Sequence, residues 1–413
     1  MLLGWADART SNTIAVHFLP EKQKVGYNLK LGSAGSAMTN DLGSVFDAAD
    51  AATDRMISLI CDPDVSQVTV DGYDRVNFID SKGAQTADRM FAHPAAYVAF
   101  LNHLLSLTDA GYVNVEGANL SFIEGSFRPD RINVHGSIHI ATRDVTRGEP
   151  GLTVRKQPQN IISLDKMLAQ GMLNPDMRIF LETAVRGRSN ILVSGGSGAG
   201  KTTLTRALTS FIDPLQRVVT AEEIDELHLR DRLRNVEALT TFRKHDEQGR
   251  LIRETTLEDL VREALRMRPD RILVGETRGK EAYALVKACN SGHDGSTTTL
   301  HADDATQAVR QLVTYVMESG LTEVPARDQV ARAFHLVVQI SKTRMQRRVI
   351  TEITALEPVM EGTNQRYIPL WKFNHDTGLH EFLAPSLPKR LLDHWAVHGA
   401  NFDAAPPANW RRR

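Results

Sequence analysis

The run Gly195-Gly196-Ser197-Gly198-Ala199-Gly200-Lys201-Thr202 constrains this chain more than any other stretch. Its G-x-x-x-x-G-K-[ST] spacing lets consecutive backbone N–H groups wrap an anion, because glycine tolerates the close approach and backbone angles that a side chain would block. The flanks supply the context the spacing needs. Asn190-Ile191-Leu192-Val193 reads as a short buried strand, and Thr202 to Leu208 reads as a helix with Leu204, Ala207 and Leu208 on one face. Strand, glycine turn and helix in that order put the anion at a helix N-terminus, where unpaired N–H groups and the positive dipole end both favour it. The expectation is a nucleotide-phosphate site built by Gly196, Ser197, Gly198, Ala199, Gly200, Lys201, Thr202 and Thr203. Lys201 would reach the β- and γ-phosphates and Thr202 would hold Mg²⁺.

A chain of 413 residues exceeds one ordinary domain and can bury two cores. Its 49 Lys and Arg against 50 Asp and Glu leave no basic field, so direct nucleic-acid binding is not expected. Cys61 and Cys289 have no ligand-spaced neighbours. They fit a reducing cytoplasm as small core residues and argue against a disulfide framework or a cysteine zinc site. No apolar run approaches the ~20 residues needed to cross a bilayer, and Met1-Leu2-Leu3-Gly4-Trp5-Ala6-Asp7 lacks the layout of a signal peptide. Any membrane role is expected to run through partner proteins.

Along the chain, residues 1–44 read as a strand or two and a flexible lead-in around Gly32-Ser33-Ala34-Gly35-Ser36. An α+β domain is expected over 45–156, with helices at Val45 to Ile60 and Ala95 to Leu105 and two strands around an Asp71-Gly72 turn. Further strands are expected at Arg131 to His135 and Leu152 to Lys156. The polar stretch with Pro158 makes 157–162 the expected linker. Asn174-Pro175 opens a helix, asparagine as cap and proline at the first position. From Arg217 strands and helices alternate, which predicts a mostly parallel sheet covered on both faces in a domain spanning 163–380. Strands at His335 to Ile340 and Arg347 to Leu356 would extend the sheet, and 381–413 reads as a helical tail whose Arg411-Arg412-Arg413 is solvated charge.

Cleaving a phosphoanhydride needs carboxylates near the γ-phosphate to hold the metal shell and orient water. Glu222, Glu223 and Glu226 follow the strand at Val218, at the carboxyl edge where open α/β sheets bind ligands, although Glu226 reads equally well as solvated surface. Glu276 ends the apolar strand Arg271-Ile272-Leu273-Val274-Gly275, where a charge is either functional or paired. His293 and His301 flank a strand at Ser296 to Leu300, and a histidine on a strand tip can report phosphate occupancy by a hydrogen bond.

Taken in order, these segments resemble the secretion and pilus-assembly ATPases of the type II/type IV secretion superfamily, most closely the tight-adherence pilus branch. The glycine loop matches their Walker A; Ala221-Glu222-Glu223-Ile224-Asp225-Glu226-Leu227 matches their acidic box; Leu265 to Gly279 matches their Walker B region; Gly292 to His301 matches their histidine box. The resemblance implies a cytoplasmic homohexamer peripheral to the inner membrane, docked on platform proteins, with an N-terminal domain hinged onto a RecA-like ATPase domain and ATP between them. It implies Lys201 and Thr202 on phosphate and metal, Glu276 as Walker B ligand, His301 as sensor, and Arg131, Arg155 and Arg278 as arginines for the γ-phosphate. Glu222 is the implied water-activating carboxylate, but Glu223 stands where the family carries aspartate, and the base is left open between the two. A DNA-translocating or conjugative-transfer ATPase is the alternative reading.

Overall fold

The computed structural model describes residues 13–18, 25–30, 42–87, 89–110, 114–116, 120–128, 130–157, 162–245, 251–361 and 364–400. The glycine-serine stretch at 32–36, residues 158–161 of the expected linker, and the end of the tail from residue 401 lie outside the described residues. Two compact units emerge. The first comprises Met1–Gly117, Ser121–Val134 and Ile138–Lys156; the second comprises Ala118–Leu120, His135–Ser137 and Gln157–Arg413.

The first unit begins with an antiparallel pair, β1 (Thr13–Phe18) and β2 (Val25–Lys30), and helix α1 (Leu42–Cys61). There follow β3 (Gln67–Asp71), β4 (Val76–Asp80), β5 (Gly83–Ala87), α2 (Pro94–Ser106), β6 (Phe122–Ser126), β7 (Gly136–Ala141), α3 (Arg143–Thr146) and β8 (Gly151–Lys156). The six strands β3 to β8 form one sheet in the order β5-β4-β3-β8-β7-β6. Period-two alternation puts Val68 and Val70 of β3 opposite Val154 and Leu152 of β8, all four buried. The strand expected at Arg131 to His135 is absent: the N–H groups of Arg131 and Ile132 donate to the Arg128 carbonyl in a turn, and the strand starts at Gly136. Cys61 is exposed, contrary to the core role expected of it, whereas Cys289 is buried.

In the second unit, α4 (Leu164–Ala169) and α5 (Pro175–Arg186) precede β9 (Ile191–Ser194) and α6 (Lys201–Leu208). Asn174 caps α5 through its side chain, with Pro175 at the first position. Next come β10 (Val218–Glu222), β11 (Val236–Thr240), a hairpin of β12 (Phe242–His245) and β13 (Leu251–Thr255), α7 (Leu257–Ala264), β14 (Arg271–Val274), α8 (Glu281–Cys289) and β15 (Thr297–Leu300). The chain closes with α9 (Ala305–Met317), α10 (Glu323–Ala333), β16 (Leu336–Lys342), β17 (Arg348–Glu361), β18 (Asn364–Asn374), β19 (Leu379–Phe382) and α11 (Lys389–Val397).

Nine of these strands make one sheet, ordered β11-β10-β14-β15-β9-β16-β17-β18-β19. Neighbours from β11 to β16 are parallel, while β16, β17, β18 and β19 pair antiparallel. The sheet is therefore mixed, and the expectation of a mostly parallel sheet holds only for its first six strands. The departure follows from the connections. Only a few residues separate each strand from the next along β16 through β19, and only antiparallel neighbours can be joined that way, whereas helices carry the chain across the parallel part. Alternate residues of the central strands enter separate cores. Ile191, Val193, Val218, Leu273 and Val338 pack with α4, α5 and α6; Leu192, Val219, Ile272, Val274 and Val337 pack with α7 to α10.

Candidate functional site

The central parallel strands β10, β14, β15 and β9 are adjacent, so their carboxyl ends bring four chain segments together. β9 runs into the glycine loop. A Cβ at Gly195 would collide with the Ile340 carbonyl oxygen, and Gly200, at φ +105°, is the cap from which α6 starts. Gly196, Ser197 and Gly198 are exposed, while Lys201, the first residue of α6, is buried. Its ammonium lies 3.1 Å from the Gly195 carbonyl, 3.2 Å from His301 Nδ1 and 3.8 Å from Glu276 Oε1. Burial is the main cause holding the Lys201 pKa below its ordinary value, with Glu276 opposing and Arg278 reinforcing the shift.

Glu276 follows β14 directly, and its placement is fixed by the neighbouring strand. Thr299 Oγ1 donates to the Gly275 carbonyl at 2.8 Å, the Thr277 N–H donates to the Thr299 carbonyl at 2.8 Å, and the Thr277 and Thr298 hydroxyls meet at 2.7 Å. Glu276 Oε1 stands 2.9 Å from His301 Nε2, within ion-pair range, yet it is buried and no donor reaches it with hydrogen-bond geometry. Its other oxygen accepts from Arg278 Nε at 2.9 Å, and Arg278 also reaches Glu223 Oε2 at 3.3 Å. His301 sits just past β15, steadied through Gln339, which takes the Ser194 hydroxyl and donates to the Ala302 carbonyl at 3.0 Å.

The acidic box divides by burial. Glu222 is the last residue of β10, 2% exposed, with Oε1 accepting from the Glu226 N–H at 3.1 Å and the Leu227 N–H at 3.2 Å. Its Oε2 is buried with no hydrogen-bond partner. Burial first, then the charges of Asp225 and Glu226, pushes the Glu222 pKa well above the usual carboxylate range against the pull of those two N–H groups. Gly275 leaves room for this side chain, since a Cβ there would lie 2.9 Å from Glu222 Cγ. Glu223 and Glu226 are exposed, and Glu226 Oε2 accepts from the Thr202 hydroxyl at 3.1 Å.

Residues 132–365 match the profile of the family described as "Type II/IV secretion system protein". The chain belongs to this family. Among type II/IV secretion relatives, a putative conjugal transfer protein of Mycobacterium tuberculosis (strain H37Rv) is 36% identical over 213 residues, covering 50% of this chain and 57% of that one. A type IV secretion system protein VirB11 of Bartonella quintana is 38% identical over 156 residues, covering 38% of this chain and 42% of the relative. The chain thus spans about half the length of these curated relatives. In fold it is similar to a solved structure of the pilus retraction motor PilT with bound ADP, at a TM-score of 0.52 and 16% identity, covering 84% of this chain and 86% of that one. Among the described residues no helix is long and apolar enough to cross a membrane.

Of the site residues read from the sequence, the second unit brings together Lys201, Thr202, Glu223, Glu276, Arg278 and His301, with Glu222 behind them. Arg131 and Arg155 belong to the first unit, where both are exposed and Arg131 donates to the Ser106 carbonyl. His293 lies before β15, close to the Ala288 carbonyl, and does not join His301. Glu226, read equally as solvated surface, is the residue that takes the Thr202 hydroxyl. Its sequence signal was its spacing, four residues after Glu222, which lets Glu222 hold the turn that turns Glu226 back toward the loop.

Proposed function

We propose that this chain is an ATP-hydrolysing subunit of a motor that powers pilus assembly or type II/IV-type secretion. It would work as a cytoplasmic homohexamer with a RecA-like ATPase domain at 163–380 and a separate N-terminal domain at 45–156, docked on inner-membrane platform proteins, and would fall in the tight-adherence branch. One observation carries the reading: Lys201, Glu276, Arg278 and His301 converge at the glycine loop from three different strand ends. The cluster suits a triphosphate, since a buried ammonium and an undonated carboxylate oxygen stand within 3.8 Å beside an exposed glycine cradle.

Thr202, Glu276 and Glu226 offer the oxygens that would hold Mg²⁺, which when bound would neutralise charge building on the phosphates. Lys201 would leave the Gly195 carbonyl for the phosphate oxygens, and His301 would follow the change through its contact with Glu276. Glu276 Oε1, which stands beside His301 and Lys201 but takes no hydrogen bond from either, is the oxygen placed to orient water and take its proton. Glu222 would act through position, by keeping the Glu226 turn, rather than as the base. Arg278, and Arg131 and Arg155 of the first unit, are the proposed γ-phosphate arginines.

Lys201→Ala tests the reading. Phosphate release should fall by at least about 10²-fold with the thermal melt preserved, and unchanged turnover would refute the site. The conjugal-transfer name of the 36% identical relative favours a second reading, a conjugative-transfer ATPase. Strong stimulation of turnover by DNA at physiological salt would select it.

A further inference from the structure

The amino edge of the nine-stranded sheet carries another group of ligand-type side chains. His394 lies in the last turn of α11 and His398 is its C-cap, a spacing of four that puts both rings on one side of the helix end. Asp294 comes from the loop between α8 and β15. One ligand atom from each of the three lies within 4.8 Å of the others, and all three residues are half-buried. His398 Nε2 stands 3.6 Å from Asp294 Oδ2. Two atoms bound at about 2.1 Å to a tetrahedral zinc ion are about 3.4 Å apart, so this pair already has nearly the required separation.

The surroundings favour a metal over a plain ion pair. His394 Nε2 is 2.9 Å from the Arg188 carbonyl, which can only accept, so the ring carries its proton there and keeps the Nδ1 lone pair. A backbone carbonyl behind an imidazole is the support that metal-binding histidines use to fix their tautomer. Arg188 and Arg390 are engaged elsewhere. Arg188 reaches Asp270 Oδ1 at 3.2 Å, and Arg390 donates to the carbonyls of Ala331, Arg332 and Leu356. His335 packs on His394 with ring centroids 4.1 Å apart, and its Nδ1 accepts from the Asn190 N–H.

We propose that Asp294, His394 and His398 form a site for a divalent transition-metal ion, zinc foremost, that clasps α11 to the loop leading into β15. Two imidazoles and one carboxylate satisfy three tetrahedral positions and leave one for water. The family profile ends at residue 365, so both histidines come from beyond the matched segment.

The test uses untagged, metal-stripped, full-length protein titrated with Co²⁺ and Zn²⁺. One equivalent of Co²⁺ should develop visible d–d bands that Zn²⁺ abolishes, and Zn²⁺ should raise the melting temperature. His398→Gln and the nearly isosteric Asp294→Asn should each weaken Zn²⁺ binding at least about tenfold, while His375→Gln should leave it unchanged. Asp294→Asn decides the matter if His398→Gln fails to fold. Absence of the bands in the unmodified chain overturns the proposal, as does equal Zn²⁺ affinity in folded Asp294→Asn, which would place the metal elsewhere.

Discussion

The two edges of the nine-stranded sheet are made from the same strands and are built on opposite terms. At the amino edge, the buried side chains of Asn190 and Arg271 are closely paired. Asn190 Oδ1 accepts from the N–H groups of Gly295 and Ser296 at 2.8 and 2.9 Å, and its Nδ2 donates to the Ala333 carbonyl at 2.6 Å. Arg271, 2% exposed, gives Nε to Gln216 Oε1 at 2.6 Å and a terminal nitrogen to the Val185 carbonyl at 2.8 Å. Gly295, at φ +87°, lies so close to this guanidinium that a Cβ would strike it. Burial draws the Arg271 pKa down to about 10, yet the group remains charged at neutral pH. At the carboxyl edge, Glu222 Oε2 and Glu276 Oε1 are buried without hydrogen-bond partners. One edge closes Asn190 and Arg271 on partners, and the other leaves two carboxylate oxygens without them.

The largest expected break in this contrast is Glu276→Gln. The amide keeps the shape but cannot take a proton, so turnover should fall about 10²-fold or more while nucleotide binding persists, measured by phosphate release beside equilibrium binding. Retained turnover would move the base to Glu223 or Glu226. Asn190→Ala comes next, on the opposite edge. It strands two N–H groups and a carbonyl in the interior, and unfolding in urea should show a loss of about 2–3 kcal/mol, with nucleotide affinity of the folded fraction unchanged. A loss of affinity without loss of stability would show that the two edges do not divide the labour.

The smallest effect is expected at Glu222. Its folded pKa is raised, so its contribution to stability is fully present below the ordinary carboxylate range and is lost as pH rises toward the folded value. Glu222→Gln should remove that slope. Relative to the unmodified chain the variant should gain about 1 kcal/mol in denaturant unfolding at pH 8 compared with pH 5, and it should retain most turnover. Identical pH profiles would mean that Glu222 is ionised in the folded protein and available as a base.

The sequence disclosed the loop, its strand and its helix because each is local: spacing, the short apolar run Ile191-Leu192-Val193 and a helical face are all readable within twenty residues. The same holds for Glu276 at the end of β14. The separation of Glu222 from Glu223 was not readable, since both follow one apolar strand and only the pleat, with Gly275 alongside, sends the first inward. Of the antiparallel extension, the strands at His335 to Ile340 and Arg347 to Leu356 were readable, but β18 and β19 were not. β18 contains Pro369 and alternates irregularly past two register shifts, so no clean period marks it as a strand. Arg131 to His135 reads as a strand by composition, but turn bonds to Arg128 take its first donors.

The order in which β9 acquires its neighbours bears on how the chain is made. Its flanking strands, β15 and β16, begin at Thr297 and Leu336, and Arg348, whose Nε donates to the Gly198 carbonyl at 3.3 Å, is 150 residues downstream of the glycine it steadies. A ribosome that has finished the phosphate loop must therefore reach β15 before that strand can pair on one side and β16 before it can pair on the other. During that interval β9, with its apolar Ile191, Leu192 and Val193, waits with both ladder edges open, a state prone to mispairing with other nascent copies.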